Sequence, residues 1–230
     1  MMITRLTVAA VLGMAVASVA HANRPLNTDT ADTIAPQRCQ FEPYAFDNRS
    51  SGVPTERGSV WQLNCGVSGS TQLGTAYARS NADSETAQAV AFGGKTNFVE
   101  LKDGQTGMAV GYGLNVAKAG SSSWAHDASF AYLIATRELV PGLLGHVNLG
   151  WSHSRSARQN STTWAAAFEW SVAQRVVLSA ETYGNDHERP WLGTGLWWGL
   201  RENFSVNLSL GVQNANPRVR QATAGFNFEF

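Results

Sequence analysis

Apolar and polar positions alternate with a period of two along almost the whole chain after residue 38. Between Thr106 and Val116, the apolar Met108, Val110, Tyr112, Leu114 and Val116 are interleaved with Ala109, Gly111, Gly113 and Asn115. Successive side chains of a strand leave opposite faces, so this run has one apolar face and one small or polar face. The pattern recurs at Trp61, Leu63, Cys65 and Val67 opposite Gln62, Asn64 and Gly66, and at Trp164, Ala166, Phe168, Trp170 and Val172 opposite Thr163, Ala165, Ala167, Glu169 and Ser171. It returns at Leu192, Leu196, Trp198 and Leu200, and at Phe204, Val206, Leu208, Leu210 and Val212. Ala128, Phe130, Tyr132 and Ile134 read as one more apolar face. Twelve strands are expected, at 38–47, 58–67, 71–80, 86–99, 105–117, 125–138, 143–154, 162–172, 175–184, 191–201, 203–213 and 219–230.

The final stretch, Ala222 to Phe230, keeps Phe226, Phe228 and Phe230 on one face and Thr223, Gly225, Asn227 and Glu229 on the other. A terminal strand with an open edge invites aggregation, and closing the sheet on itself removes that edge. An even strand count brings both chain ends to one mouth. Short connectors around Ser68-Gly69-Ser70, Asp103-Gly104, Val140-Pro141-Gly142, Ala173-Gln174 and Glu202 alternate with longer polar ones at 48–57, 81–85, 118–124, 155–161, 184–190 and 214–218. The expected fold is all-β, a transmembrane antiparallel up-and-down barrel of about twelve strands. A soluble β-domain ending on an ordinary edge strand is the alternative. Trp61, Tyr77, Trp124, Trp151, Trp164, Trp170, Trp198 and Phe230 lie on apolar faces, many near strand ends, as interfacial girdles do. The apolar faces are therefore expected to point outward.

Composition fits distributed rather than blocked hydrophobicity. Eight Trp, five Tyr and ten Phe coexist with a mean hydropathy of −0.18. Charged residues make up 15% of the chain, against a globular norm of about 25%. Residues 1–22 have the layout of a secretory signal, with Arg5, an apolar run from Leu6 to Ala20, and Ala20-His21-Ala22 as a cleavage site. Its removal takes one Arg from the 17 Lys plus Arg and leaves 16 against 17 Asp plus Glu, a balance that argues against nucleic acid as partner. Residues 23–37 carry two prolines and no period, and read as an irregular arm ahead of a barrel at 38–230.

A first hairpin centred near Gly52 sets Cys39 opposite Cys65, Phe41 opposite Leu63 and Pro43 opposite Trp61, which predicts a disulfide. Two unbridged thiols are the alternative. No metal site is expected, since no second ligand pair lies at suitable spacing. By parity the inward positions are mostly small or polar, with Lys95, Glu169, Glu181 and His146 as lumen or ligand candidates. Small inward side chains do not fill a barrel wider than eight strands. Water, a solute in transit, or the arm with Arg24, Asp29 and Asp32 are the candidate occupants. Glu169 and Glu181 fall on adjacent strands, and their proximity is better suited to selectivity or stability than to catalysis. Ser152 and His153 suggest an outer-leaflet lipid hydrolase, but adjacent strand residues face opposite ways and make a poor dyad. A structural or adhesive barrel would rest on outer loops, which are short. No catalytic residue or cofactor is assigned.

Two resemblances add to this reading. The alternating strand ending on Phe is similar to the signal recognised by the barrel-assembly machinery of bacterial outer membranes, and implies that location, with membrane lipid as surroundings. The run Arg24-Pro25-Leu26-Asn27-Thr28-Asp29-Thr30-Ala31, followed by Pro36, Cys39 and Glu42, resembles the start of a family of outer-membrane barrels related to meta-pathway phenol-degradation transporters. Glu181-Thr182-Tyr183-Gly184 and the strand with Trp197-Trp198 resemble that family's late hairpins. Thr30 stands where the pattern R-P-L-x-T-D-D-A has a second acid, which weakens a ligand or calcium role there. The resemblance implies a passive channel for small, hydrophobic or aromatic solutes.

Overall fold

The structure, a computed structural model, describes residues 26–230. Arg24 and the expected cleavage site after Ala22 lie outside the described residues. All twelve alternating runs are strands: β1 (Cys39–Ser50), β2 (Val53–Gly66), β3 (Thr71–Ala82), β4 (Glu85–Val99), β5 (Thr106–Ala119), β6 (Ala125–Val140), β7 (Leu143–Ser154), β8 (Gln159–Ala173), β9 (Val176–Asn185), β10 (Trp191–Arg201), β11 (Phe204–Gln213) and β12 (Val219–Glu229). Each pairs antiparallel with its neighbours in sequence, and β12 pairs with β1 to close the barrel. At the seam the main chains of Cys39 and Phe230 exchange two hydrogen bonds, of 2.8 and 2.9 Å. Closure leaves no edge strand, so the main chain of the wall pairs within the sheet, as hydrocarbon requires.

The β1–β2 register has Cys39 opposite Cys65, Phe41 opposite Leu63 and Pro43 opposite Trp61. Cys39 and Cys65 form a disulfide that ties the seam strand to its other neighbour. The long loop expected at 48–57 is instead strand, turning through residues 51–52 with Gly52 at a φ of +75°. Its polar residues belong to the two faces of the wall. Asn48 and Glu56 face the lumen and are hydrogen-bonded at 3.1 Å, while Asp47 pairs outside with Arg49 and Arg57. The β3–β4 connection, at 83–84, is equally short, and at the other mouth 100–105 is longer than expected, so the expected phase, with the short turns at the mouth where Cys39 meets Phe230, holds only from β5 onward.

The outer wall is apolar. Leu149 is 58% exposed and Leu210 is 63% exposed, whereas the interleaved Asn148 and Asn207 are buried. Trp61 and Tyr77 stack on the outside at 5.7 Å, and Trp124, Trp151, Trp164, Trp170, Trp198 and Phe230 are exposed as well. One face is inverted. Phe130 (8% exposed), Tyr132 and Ile134 (2%) point into the lumen, and Ala131, Leu133 and Ala135 form the outer face of β6. Pairing with β5 sets Phe130 opposite Gly113, Tyr132 opposite Gly111 and Ile134 opposite Ala109. A Cβ at Gly111 would collide with the Tyr132 ring and one at Gly113 with Phe130, so the missing side chains make room for aromatic rings inside. Trp191 is likewise inside, stacked on Tyr183 at 6.1 Å.

Candidate functional site

Residues 26–37 enter the barrel at the mouth where Cys39 meets Phe230 and cross the lumen. Near β1, Pro36 bridges to Gly66 on β2, and Ile34 donates its N–H to Gln72 on β3 at 2.9 Å. Farther in, Asn97 on β4 donates from Nδ2 to the carbonyl of Ala31 at 2.7 Å, and the Ala31 N–H reaches Thr136 Oγ1 on β6 at 2.9 Å. The segment ends its described course on β9, at Glu181. It thus spans the lumen from β2 to β9, and polar side chains supply the partners that a sheet would give its backbone.

Asp29 lies at the centre of these contacts. Its carboxylate pairs with Lys95 Nζ on β4 at 2.9 Å, both groups fully buried, and accepts the Tyr132 hydroxyl at 2.9 Å. Lys95 also donates to the Thr30 carbonyl at 2.8 Å. Asn148 on β7 accepts the Asp29 N–H at 2.7 Å and donates to the Asp29 carbonyl at 3.0 Å, so one side-chain amide serves both main-chain groups as a neighbouring strand would. Glu181 receives the N–H groups of Asn27 and Thr28, the Asn27 side-chain amide at 2.8 Å and the Thr28 hydroxyl at 2.9 Å. A carboxylate with this many donors is held in place as an acceptor, and in turn it fixes the tip of the segment.

Behind the segment, the Thr136 hydroxyl lies 3.0 Å from His146 Nδ1, and His146 Nε2 lies 3.2 Å from Glu169 Oε2. The Thr136 hydroxyl that accepts the Ala31 N–H thus also meets His146, and the other ring nitrogen of His146 faces Glu169. Glu169 and Glu181 therefore do not act as a pair; on β8 and β9 they lie opposite Ser179 and Ala167, and each takes a different partner. Asp32 is exposed and sits apart from this set. On the outer face, His153 binds Asn160 at 3.0 Å and stacks on Trp151 at 6.3 Å, while Ser152 leaves the opposite face of β7. Asn27, Thr28, Asn97, Tyr132, Thr136 and Asn148 were not singled out by sequence reasoning. Parity identifies Asn97 and Asn148 as inward once Lys95 and His146 are taken as inward, but Tyr132 and Thr136 share the β6 face whose apolar residues make it read as outward.

A closed meander of twelve strands, apolar outside and polar within, defines a transmembrane β-barrel, here with its N-terminal segment lodged in the lumen. The chain belongs to the family described as Uncharacterised conserved protein UCP029691, whose model matches residues 10–230. A search of curated proteins gives no match. Among solved structures, the barrel is similar to the KdgM porin in complex with disordered oligogalacturonate, with a TM-score of 0.63 and 8% identity over 83% of this chain and 99% of that one. It is also similar to the COG4313 outer membrane channel from Pseudomonas putida F1, with a TM-score of 0.62 and 9% identity over 87% and 98% of the two chains. The outer membrane phospholipase A from Escherichia coli has a TM-score of 0.53 and 12% identity over 85% and 94%. Likeness at these identities establishes the fold, which channels and an enzyme share.

Proposed function

We propose that this protein is an outer-membrane channel for the passive passage of small solutes, with residues 23–37 acting as a resident plug. The observation that carries this reading is the segment's path across the lumen, from Gly66 and Gln72 on one side to Glu181 on the other. A barrel whose only task was to anchor or to assemble would have no use for a polar bore spanned by a separate, side-chain-held segment. Lys95, His146, Glu169 and Glu181 are the lumen residues that set the position of this plug and the polarity of the space it leaves. Passage of small hydrophobic or aromatic solutes rests on the resemblance of the Leu26-Asn27-Thr28-Asp29 run, and the Phe130, Tyr132, Tyr183 and Trp191 rings on the lumen side are suited to it. The outer-leaflet hydrolase gains no support from Ser152 and His153, which leave opposite faces of β7. Cleavage after Ala22 and recognition of Phe226, Phe228 and Phe230 by the assembly machinery belong to the same proposal.

The test is flux through the refolded mature chain in liposomes and planar bilayers, comparing a small sugar with an aromatic acid, with and without residues 23–37. The full chain is expected to pass small solutes, and the truncated chain to show a larger single-channel conductance. Two sealed barrels would overturn the channel, and equal conductance would overturn the plug.

A further inference from the structure

The outer surface carries a constellation that the bore does not use. A groove of about 750 Å³ runs along the outside of β9 to β12 and onto β1 and β2. Its floor is formed by the small residues Ala45, Ala222 and Ala224 and its banks by Leu196, Leu208 and Leu210. The register makes the floor continuous, with Ala224 between Ala45 and Leu208, and Ala222 opposite Leu210. Its volume lies in the range of about 300–1,000 Å³ typical of sites that take a small ligand.

Toward the mouth opposite the Cys39–Phe230 junction, the groove runs into arginines. Asp47, opposite Ala222, pairs with Arg49 and, at 2.9 Å, with Arg57, and Arg49 stands opposite Arg220. All four side chains leave the outer face by strand parity. Three guanidinium groups against one carboxylate leave two positive charges in excess, and Arg220 has no ion pair among the described residues. Cations on the outer wall of a barrel are costly at mid-depth and tolerated near the interface, where an anion can meet them. Guanidinium groups match phosphate oxygens with paired, charge-assisted hydrogen bonds.

We infer that the Arg49, Arg57 and Arg220 cluster with the adjoining alanine-floored groove is a binding site for a phosphorylated acyl lipid of the outer leaflet. The arginines take the phosphate, and one acyl chain lies in the groove, where leucines in place of the alanines would leave no room for it. A protein partner would have to bring a carboxylate to the border of the hydrocarbon; a lipid headgroup supplies its phosphate at that depth. The inference rests on the outer-membrane placement proposed above and is independent of solute passage.

The experiment is native mass spectrometry of the refolded mature protein with added lipid A, its dephosphorylated form, or inorganic phosphate. Retention of lipid A, with little retention of the dephosphorylated lipid, is expected. A triple Arg49→Ala, Arg57→Ala, Arg220→Ala variant should lose about tenfold or more in lipid A affinity. Ala222→Phe, which fills the groove and leaves the arginines, should weaken lipid A while leaving phosphate binding as it was. An intact Cys39–Cys65 disulfide and heat-resistant compact migration on a gel establish that each variant is folded. Equal retention of both lipids, no effect of the arginine changes in folded protein, or a dimer with the groove closed to lipid would each overturn the site. Loss of lipid binding with flux intact would overturn the site alone, whereas a sealed barrel that binds lipid A would overturn only the channel.

Discussion

Lys95 and Asp29 form a buried pair that holds a chain segment rather than two parts of the wall, and this decides what its loss does. Removing one member of a buried pair typically costs about 3–5 kcal/mol, because the other charge is left without compensation. The barrel ladder does not depend on Asp29, so the cost should fall on docking of residues 26–31. Lys95→Met is expected to release the segment while the barrel stays folded, read as faster limited proteolysis of the N-terminus and a conductance approaching that of the truncated chain. Glu181→Gln should act in the same direction, since an amide turns donors toward the N–H groups of Asn27 and Thr28. Glu169→Gln, whose partner is His146, should have the smaller effect on proteolysis. Lys95 and Glu181 were legible from parity alone. Their partners were not, because Asn27 and Thr28 belong to a segment without a period.

For single strands, alternation is the governing fact, and a one-residue displacement tests it. Leu149→Lys places a charge on the outer wall of β7 and should cost about 2–4 kcal/mol if its position is near mid-depth, seen as a lower urea midpoint for unfolding from vesicles. The same lysine at Asn148 enters the lumen, where it should perturb the Asp29 contact and leave the wall intact. β6 was the strand misread, and its lesson is specific. Phe130, Tyr132 and Ile134 gave it an apolar face as convincing as any other, but the glycines that accept their rings, Gly111 and Gly113, lie on β5. A pattern read within one strand does not contain that pairing. The same limit explains 48–57, where lumen-facing Asn48 and Glu56 and the outer Asp47, Arg49 and Arg57 made both faces polar and suggested a loop.

For the whole molecule, closure is concentrated at the β12–β1–β2 seam. The disulfide links β1 to β2 at the mouth where Phe230 meets Cys39, across a sequence separation of 26 residues. A cross-link of that span is worth about 2–4 kcal/mol in the chain-entropy account. Cys39→Ser with Cys65→Ser should therefore lower the unfolding midpoint without abolishing the barrel, and chemical reduction of the wild type should give the same shift. Phe230→Ser removes the last aromatic ring but not the main-chain pairing with Cys39. It should refold in vitro nearly as well as wild type, yet yield less compact, heat-modifiable barrel in cells, which separates recognition by the assembly machinery from stability.

The sequence by itself determined the number of strands, most of their limits, the first hairpin's register with its disulfide, and the polarity of the bore, because a period of two is a local property that each strand writes on its own. Only the tertiary structure decided that residues 26–37 cross the lumen, that Glu169 and Glu181 serve different partners, that Tyr132 faces Asp29, and that three arginines border an alanine-floored groove on the outside. Those arrangements join residues from strands distant in sequence or from a segment with no period, and their geometry exists only once the sheet has closed.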